Sequence, residues 1–180
     1  MNRYEHAIKE FQSENENGKS KLVYAYFGLA VYMGQCLEET LCQMLWSDKF
    51  FKQKGKKPKI LNKIIDEYET SKKTMGAFIK EVKKSYSISE SEKQILEDVL
   101  KKRNYIVHNF FKFEVQKCFS ETGQKEILKY FCSFIEKCQQ IDQTLQTYHS
   151  LNIERLGVTQ ESITQLFTEM KAIERARDGR

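Results

Sequence analysis

The chain has 180 residues, a formal net charge of +5, 40% hydrophobic and 31% charged residues, eight glycines and one proline. That length suits one domain with a real core, and the composition points to an all-α protein, excluding a β-sandwich or a disordered chain. No run approaches the ~20 apolar residues of a membrane span and the first residues carry no apolar leader pattern, so a cytoplasmic protein with no membrane partner is expected.

A short opening helix is predicted over about Asn2 to Ser13, ending in the polar loop Glu14 to Gly18. A long helix from Leu22 to Trp46 follows, because Leu22, Tyr26, Leu29, Met33, Leu37, Leu41 and Met44 recur at spacings of three and four and mark one buried face. Gly28 and Gly34 interrupt it. Each costs up to about 1 kcal/mol in a helix relative to alanine, and close approach by another helix would explain them.

Next comes a lysine-rich loop, Lys49 to Lys57, then a helix from Pro58 through Tyr68 and another over Lys72 to Lys84 carrying Met75, Phe78, Ile79 and Val82. Lysines outnumber acidic residues between Lys49 and Lys84, so the rest of the chain is slightly acidic. Such an asymmetry suits either a polyanion or a solvated loop.

Ser89-Glu90-Ser91-Glu92 is a capping-box pattern, in which a serine oxygen takes a free backbone N–H and the later glutamate reaches back. It opens a helix from Glu90 to about Phe111. The apolar stripe of that helix reads Leu96, Val99, Arg103, Ile106, Phe110, so a permanent cation occupies a hydrophobic position. Asn104 and His108, four apart, share a face, whereas Arg103 and His108 diverge by about 140° around the axis. Arginine can grip a phosphate, and histidine can move a proton near neutral pH.

A loop through Thr122 and Gly123 leads to a long amphipathic helix with Ile127, Phe131, Phe134, Cys138, Ile141, Leu145 and Tyr148 on one face. After Asn152 to Gly157, a last helix over Thr159 to Ala176 has only a thin apolar face and suits a clamp or a docking arm. Cys36, Cys42, Cys118, Cys132 and Cys138 form no C-x-x-C pair and read as reduced thiols. His6, His108 and His149 lie at no ligand spacing, so no metal and no cofactor are expected. There is no phosphate-binding glycine loop and no G-x-S-x-G elbow, which sets aside nucleoside triphosphatases and serine hydrolases.

Arg103-Asn104-Tyr105-Ile106-Val107-His108 resembles the R-x4-6-H signature of HEPN domains (higher eukaryotes and prokaryotes nucleotide-binding), in which a polar residue commonly follows the arginine. The resemblance extends more loosely from about Leu22 to Ser150. It implies an up-and-down helical bundle over residues 1–150, with extra N- and C-terminal helices, and a C-terminal helical extension over 151–180. Members include metal-independent endoribonucleases, many of them bacterial toxins or antiphage effectors, and also non-catalytic modules that bind RNA or protein. The resemblance implies a homodimer with a composite site at the dyad, RNA as substrate, and 2′,3′-cyclic phosphate and 5′-hydroxyl ends. Arg103 would hold the scissile phosphate, Asn104 would orient the phosphate or the imidazole, and His108 would act as general base or acid. Lys101, Lys102, Lys54, Lys56 and Lys57 are the candidate RNA contacts, and an antitoxin or regulatory protein is a further expected partner.

Two other readings stand beside this one. Arg103 paired with Glu38 or Glu39, with His108 bonding a carbonyl at the helix end, would be purely structural. A binding module would use the lysine-rich loop with Phe50 and Phe51 for phosphate contact and base stacking. The chain also departs from a family subgroup that carries a modifiable tyrosine two residues after the histidine, because Phe110 stands there and has no hydroxyl.

Overall fold

The computed structural model describes residues 2–53 and 58–179. They form an all-α helical bundle with no strand among the described residues. Its helices are α1 (Arg3–Ser13), α2 (Glu16–Lys52), α3 (Pro58–Glu69), α4 (Met75–Ser85), α5 (Glu90–His108), α6 (Phe110–Glu114), α7 (Glu121–Arg155) and α8 (Gln160–Arg177), with a 3₁₀ turn, Val115–Phe119, after α6.

Local capping accounts for most of the starts. Asn2 and Ser89 each form a capping box with the glutamate three residues later, and Asn15, Ser120 and Thr159 accept backbone N–H bonds at the openings of α2, α7 and α8. Asn15 therefore starts α2 inside the stretch predicted as a loop, and only Glu14 and Asn15 separate α1 from α2. Ser120 does the same for Thr122 and Gly123, which lie in the first turn of α7 rather than in a loop. Gly123 packs directly against the Lys117 carbonyl and leaves no room for a β-carbon. At its other end α7 continues past residue 150 to Arg155.

Cross-helix bonds set the directions. Gln124 donates to Ser20 (3.4 Å) and Thr40 to Asp142 (2.6 Å), so α2 and α7 run parallel. Lys137 donates to Asp98 (2.6 Å) and Tyr148 to Glu92 (2.8 Å), so α5 runs antiparallel to α7. Arg3 donates to Gln139 (2.9 Å) while Lys125 lies over the Phe11 ring, which makes α1 antiparallel to α7 as well. In chain order α1, α2, α5 and α7 thus alternate up and down.

The core follows the predicted stripes on α5 and α7. Leu96, Val99, Ile106 and Phe110 are buried, as are Ile127, Phe131, Phe134, Cys138, Ile141 and Leu145. On α2 the buried surface is wider than one stripe and includes Val23, Ala30 and Gly34, because α7 covers one side and α4 and α5 cover another. Each fully buried large side chain contributes roughly 1.5–3 kcal/mol of apolar transfer. α4 seals the lower part with Met75, Phe78, Ile79 and Val82, all buried, and Tyr86 just beyond it donates to the Met44 carbonyl (2.8 Å). α8 buries no residue, and Leu166, Phe167, Met170 and Ile173 are exposed.

Candidate functional site

Arg103 occupies the α5 stripe between the buried Val99 and Ile106. Its aliphatic stem crosses α2 at Gly34, where a β-carbon would stand 3.2 Å from the Arg103 Cγ. A side chain there would press on the arginine stem and require it to shift by a few tenths of an ångström. Beyond it, Nη2 donates to Glu38 Oε2 at 3.5 Å and Nη1 donates to Asn104 Oδ1 at 3.3 Å. Of the two carboxylates open in the sequence, Glu38 is the partner, while Glu39 is exposed and accepts from Gln43 (3.2 Å).

The Glu38 contact is long, and both side chains remain partly exposed, so it is worth at most about 1 kcal/mol. A guanidinium carries five N–H donors, so two long bonds leave most of its capacity for a ligand. Asn104, with its oxygen turned to Arg103, is exposed, and its Nδ2 makes no hydrogen bond among the described residues.

His108 is the last residue of α5 and is exposed. Its imidazole makes no hydrogen bond or ion pair among the described residues, so the carbonyl cap allowed by the sequence does not form. The break comes at Asn109, whose backbone (φ −132°, ψ −19°) leaves the helix while its N–H still donates to the Tyr105 carbonyl (2.9 Å). α6 then turns Phe110 into the core beside Phe131 and lays Phe111 against Phe27. Phe110 is buried. The structure joins Arg103 to Asn104 by a hydrogen bond and shows His108 bonded to neither among the described residues. Five helical residues place Arg103 and His108 about 140° apart and about 7.5 Å along the axis, while Asn104 lies on the His108 side of the helix.

Lys101 and Lys102 face another side of α5, toward α7. They line a groove of about 530 Å³ with Asp98, Asn104, Tyr105, Asn109 and Tyr130. Asp98 accepts from Lys137 (2.6 Å) and Lys102 (3.1 Å), and the Lys137 hydrogen bond above all holds its carboxyl below the usual range. Tyr105 donates to Glu114 (2.7 Å). Lys101 is exposed and makes no ion pair among the described residues.

Lys54, Lys56 and Lys57 lie outside the described residues. The flanking segment corrects the stacking loop: α2 runs through Lys52, Phe50 is buried, and the Arg155 guanidinium lies 4.2 Å from the centre of the Phe51 ring. Lysines nearby are also engaged, Lys49 with Glu67 (2.8 Å), Lys52 with Asp48 (2.7 Å), Lys73 with Glu81 (2.7 Å) and Lys83 with Glu97. That pairing lowers the field the lysine surplus alone would suggest.

Cys42, Cys132 and Cys138 are buried, and burial pushes their thiols up to about 11, 11 and 12, so they are packing residues rather than nucleophiles. Cys36 and Cys118 are partly exposed and unpaired. Among the described residues no three His, Cys, Asp or Glu side chains converge as metal ligands, and no helix is long and apolar enough to cross a membrane.

Two contributors were missed by pattern, Asp98 and Tyr130, which line one groove across α5 and α7; the close approach expected at Gly34 is made by the Arg103 stem, while the one expected at Gly28 is not made. For Gly34 a signal existed, since it lies one helical turn before Glu38 on the same face. Comparison with protein-family models, curated proteins and solved structures finds no match.

Proposed function

We propose that this chain is a HEPN-like, metal-independent endoribonuclease that works in the cytoplasm as a homodimer, in a bacterial toxin or antiphage role under the control of an antitoxin or regulatory protein. One observation carries the reading: a guanidinium placed on an otherwise buried stripe, bonded to Asn104 and only loosely to Glu38, a helix turn and a half from an exposed His108 that makes no hydrogen bond or ion pair among the described residues. The guanidinium is partly exposed and its bonds to Asn104 and Glu38 are long, at 3.3 and 3.5 Å, so a phosphate oxygen would compensate its charge more fully than they do.

In this mechanism a His108 imidazole takes the proton of the RNA 2′-hydroxyl, and the resulting oxygen attacks the adjacent phosphorus. The P–O5′ bond breaks and the leaving oxygen takes a proton from a second imidazole, giving a 2′,3′-cyclic phosphate and a 5′-hydroxyl. Arg103 stabilises the charge growing on the non-bridging oxygens, and the Asn104 Nδ2 donors fix their orientation. Because Arg103 and His108 diverge around α5, the paired protomer supplies the imidazole that serves a phosphate held by Arg103.

The Glu38 contact also favours a second reading, a non-catalytic module that binds RNA or protein and whose arginine is satisfied within one protomer. Purified protein incubated with RNA in excess EDTA separates the two. Cleavage with cyclic-phosphate ends is expected, reduced by ~10²–10⁴ in His108→Ala, the usual worth of a general acid or base. Undiminished cutting by that variant would overturn the assignment. In cells, expression is expected to arrest growth, and Arg103→Ala to relieve the arrest.

A further inference from the structure

The groove between α5 and α7 has a composition that core packing does not require. Tyr105 and Tyr130 form its wall, and Phe110 is stacked behind Tyr130 with ring centres 5.6 Å apart at 29°. Both tyrosines are only partly buried, although the buried Phe110 and Phe131 lie directly behind them. Around this aromatic wall are polar groups with capacity to spare. Lys101 has no ion pair, the Asn109 side chain makes no hydrogen bond, and the Asn104 Nδ2 donors are free, all among the described residues. Lys102 and Lys137 share the single carboxylate of Asp98, which leaves the rim net positive. An aromatic wall, amides able to read a base edge, and ammonium groups for the flanking phosphates are the parts of a single-strand binding subsite.

Asn104 belongs to both places, with its oxygen on Arg103 and its residue on the groove rim. A base in the groove would therefore sit beside a phosphate held by Arg103. Bases within a duplex are covered on both faces by their neighbours and present only their edges, so they cannot enter a recess of this kind.

We infer that this groove binds one unpaired base of the RNA adjacent to the scissile phosphate, and that the substrate is single-stranded at the cut. The inference takes RNA as substrate from the ribonuclease reading, but the base subsite is a binding property and does not need catalysis. Base–aromatic stacking distinguishes a strand that can use the subsite from one that cannot by roughly 5- to 150-fold in affinity.

The test uses the full chain and its His108→Ala variant, which binds without cutting. Fluorescence anisotropy measures a labelled oligoribonucleotide of about a dozen nucleotides, within the span of known single-strand sites, alone and annealed to its complement. The single strand is expected to bind at least about tenfold tighter than the duplex. Lys101→Glu, an exposed change that leaves the core intact, is expected to weaken single-strand binding severalfold. A 4-thiouridine oligonucleotide irradiated with the unaltered chain should crosslink to the peptides containing Tyr105, Asn109 or Tyr130, which needs no variant to fold. Equal affinity for both forms, or crosslinks mapping to other elements, would overturn the inference. Binding and crosslinks as described with no cleavage would remove the ribonuclease reading and leave the subsite standing. Cleavage abolished by His108→Ala with crosslinks elsewhere would do the reverse.

Discussion

Glu38 and Arg103 meet at 3.5 Å across α2 and α5, each with 24% of its side chain exposed. If Arg103 holds an RNA phosphate as proposed, the Glu38 carboxylate competes with that phosphate for part of the guanidinium. Glu38→Gln keeps the shape and removes the competing charge. It is expected to strengthen RNA binding severalfold while costing no more than about 1 kcal/mol of stability, because partly exposed pairs contribute little. Anisotropy titration and urea unfolding measure the two effects. Weaker binding by the glutamine variant would show that Glu38 positions Arg103 for its ligand instead.

Gly34 and Gly28 lie on the same helix with opposite surroundings. A β-carbon at Gly34 meets the Arg103 Cγ at 3.2 Å, whereas one at Gly28 meets nothing within 4 Å. Gly28→Ala is therefore expected to stabilise the fold by about 0.5–1 kcal/mol through helix propensity. In Gly34→Ala the same gain is offset by displacement of the arginine stem, so stability changes little while cleavage falls by about tenfold or more, the scale of a misplaced catalytic group. Chemical denaturation and RNA cleavage rates, measured for both variants, check the contrast. Full activity in Gly34→Ala would separate Arg103 from the chemistry.

His149 is 4% exposed, with Nδ1 3.2 Å from the Leu145 carbonyl. Burial lowers its pKa below the ordinary value of 6.5, only partly opposed by that backbone bond and by Asp142. The unfolded chain then binds the proton more readily than the folded one. Stability attributable to His149 is present in full above pH 6.5 and is lost as pH falls from there through the lowered folded value. Glu92 and Asp98, both held below the usual carboxylate range by hydrogen bonds, act only at more acidic pH. The melting temperature is expected to drop between pH 6.5 and 5, and His149→Gln should flatten that slope. An unchanged slope in the variant would exclude His149 as its source.

α8 contributes no buried residue, so its removal is expected to leave the bundle intact. A chain ending at Val158 should keep a single cooperative transition with a melting temperature within a few degrees of the full chain, followed by circular dichroism. A collapse of that transition would show that α8 clamps the fold.

Much of the fold was legible. The helices of α5 and α7 follow from apolar residues at spacings of three and four, and the Ser89 capping box opens α5 where the pattern places it. The displaced arginine was legible for the same reason. Less legible were the ends of α2, since Asn15 starts it within a polar stretch and Phe50 is buried beyond the last clear repeat. There a side-chain cap and a tertiary contact outweigh local composition.

Helix positions, buried faces and the intrusion of Arg103 into an apolar stripe all depend on neighbours within one or two helical turns, and the order of residues carries that information unaided. The choice between Glu38 and Glu39 joins residues 65 positions apart, and the meeting of Lys137 with Asp98 joins residues 39 apart. Those contacts are set by how α2, α5 and α7 pack, because adjacent residues on a helix point about 100° apart and only packing selects which of them faces the neighbour.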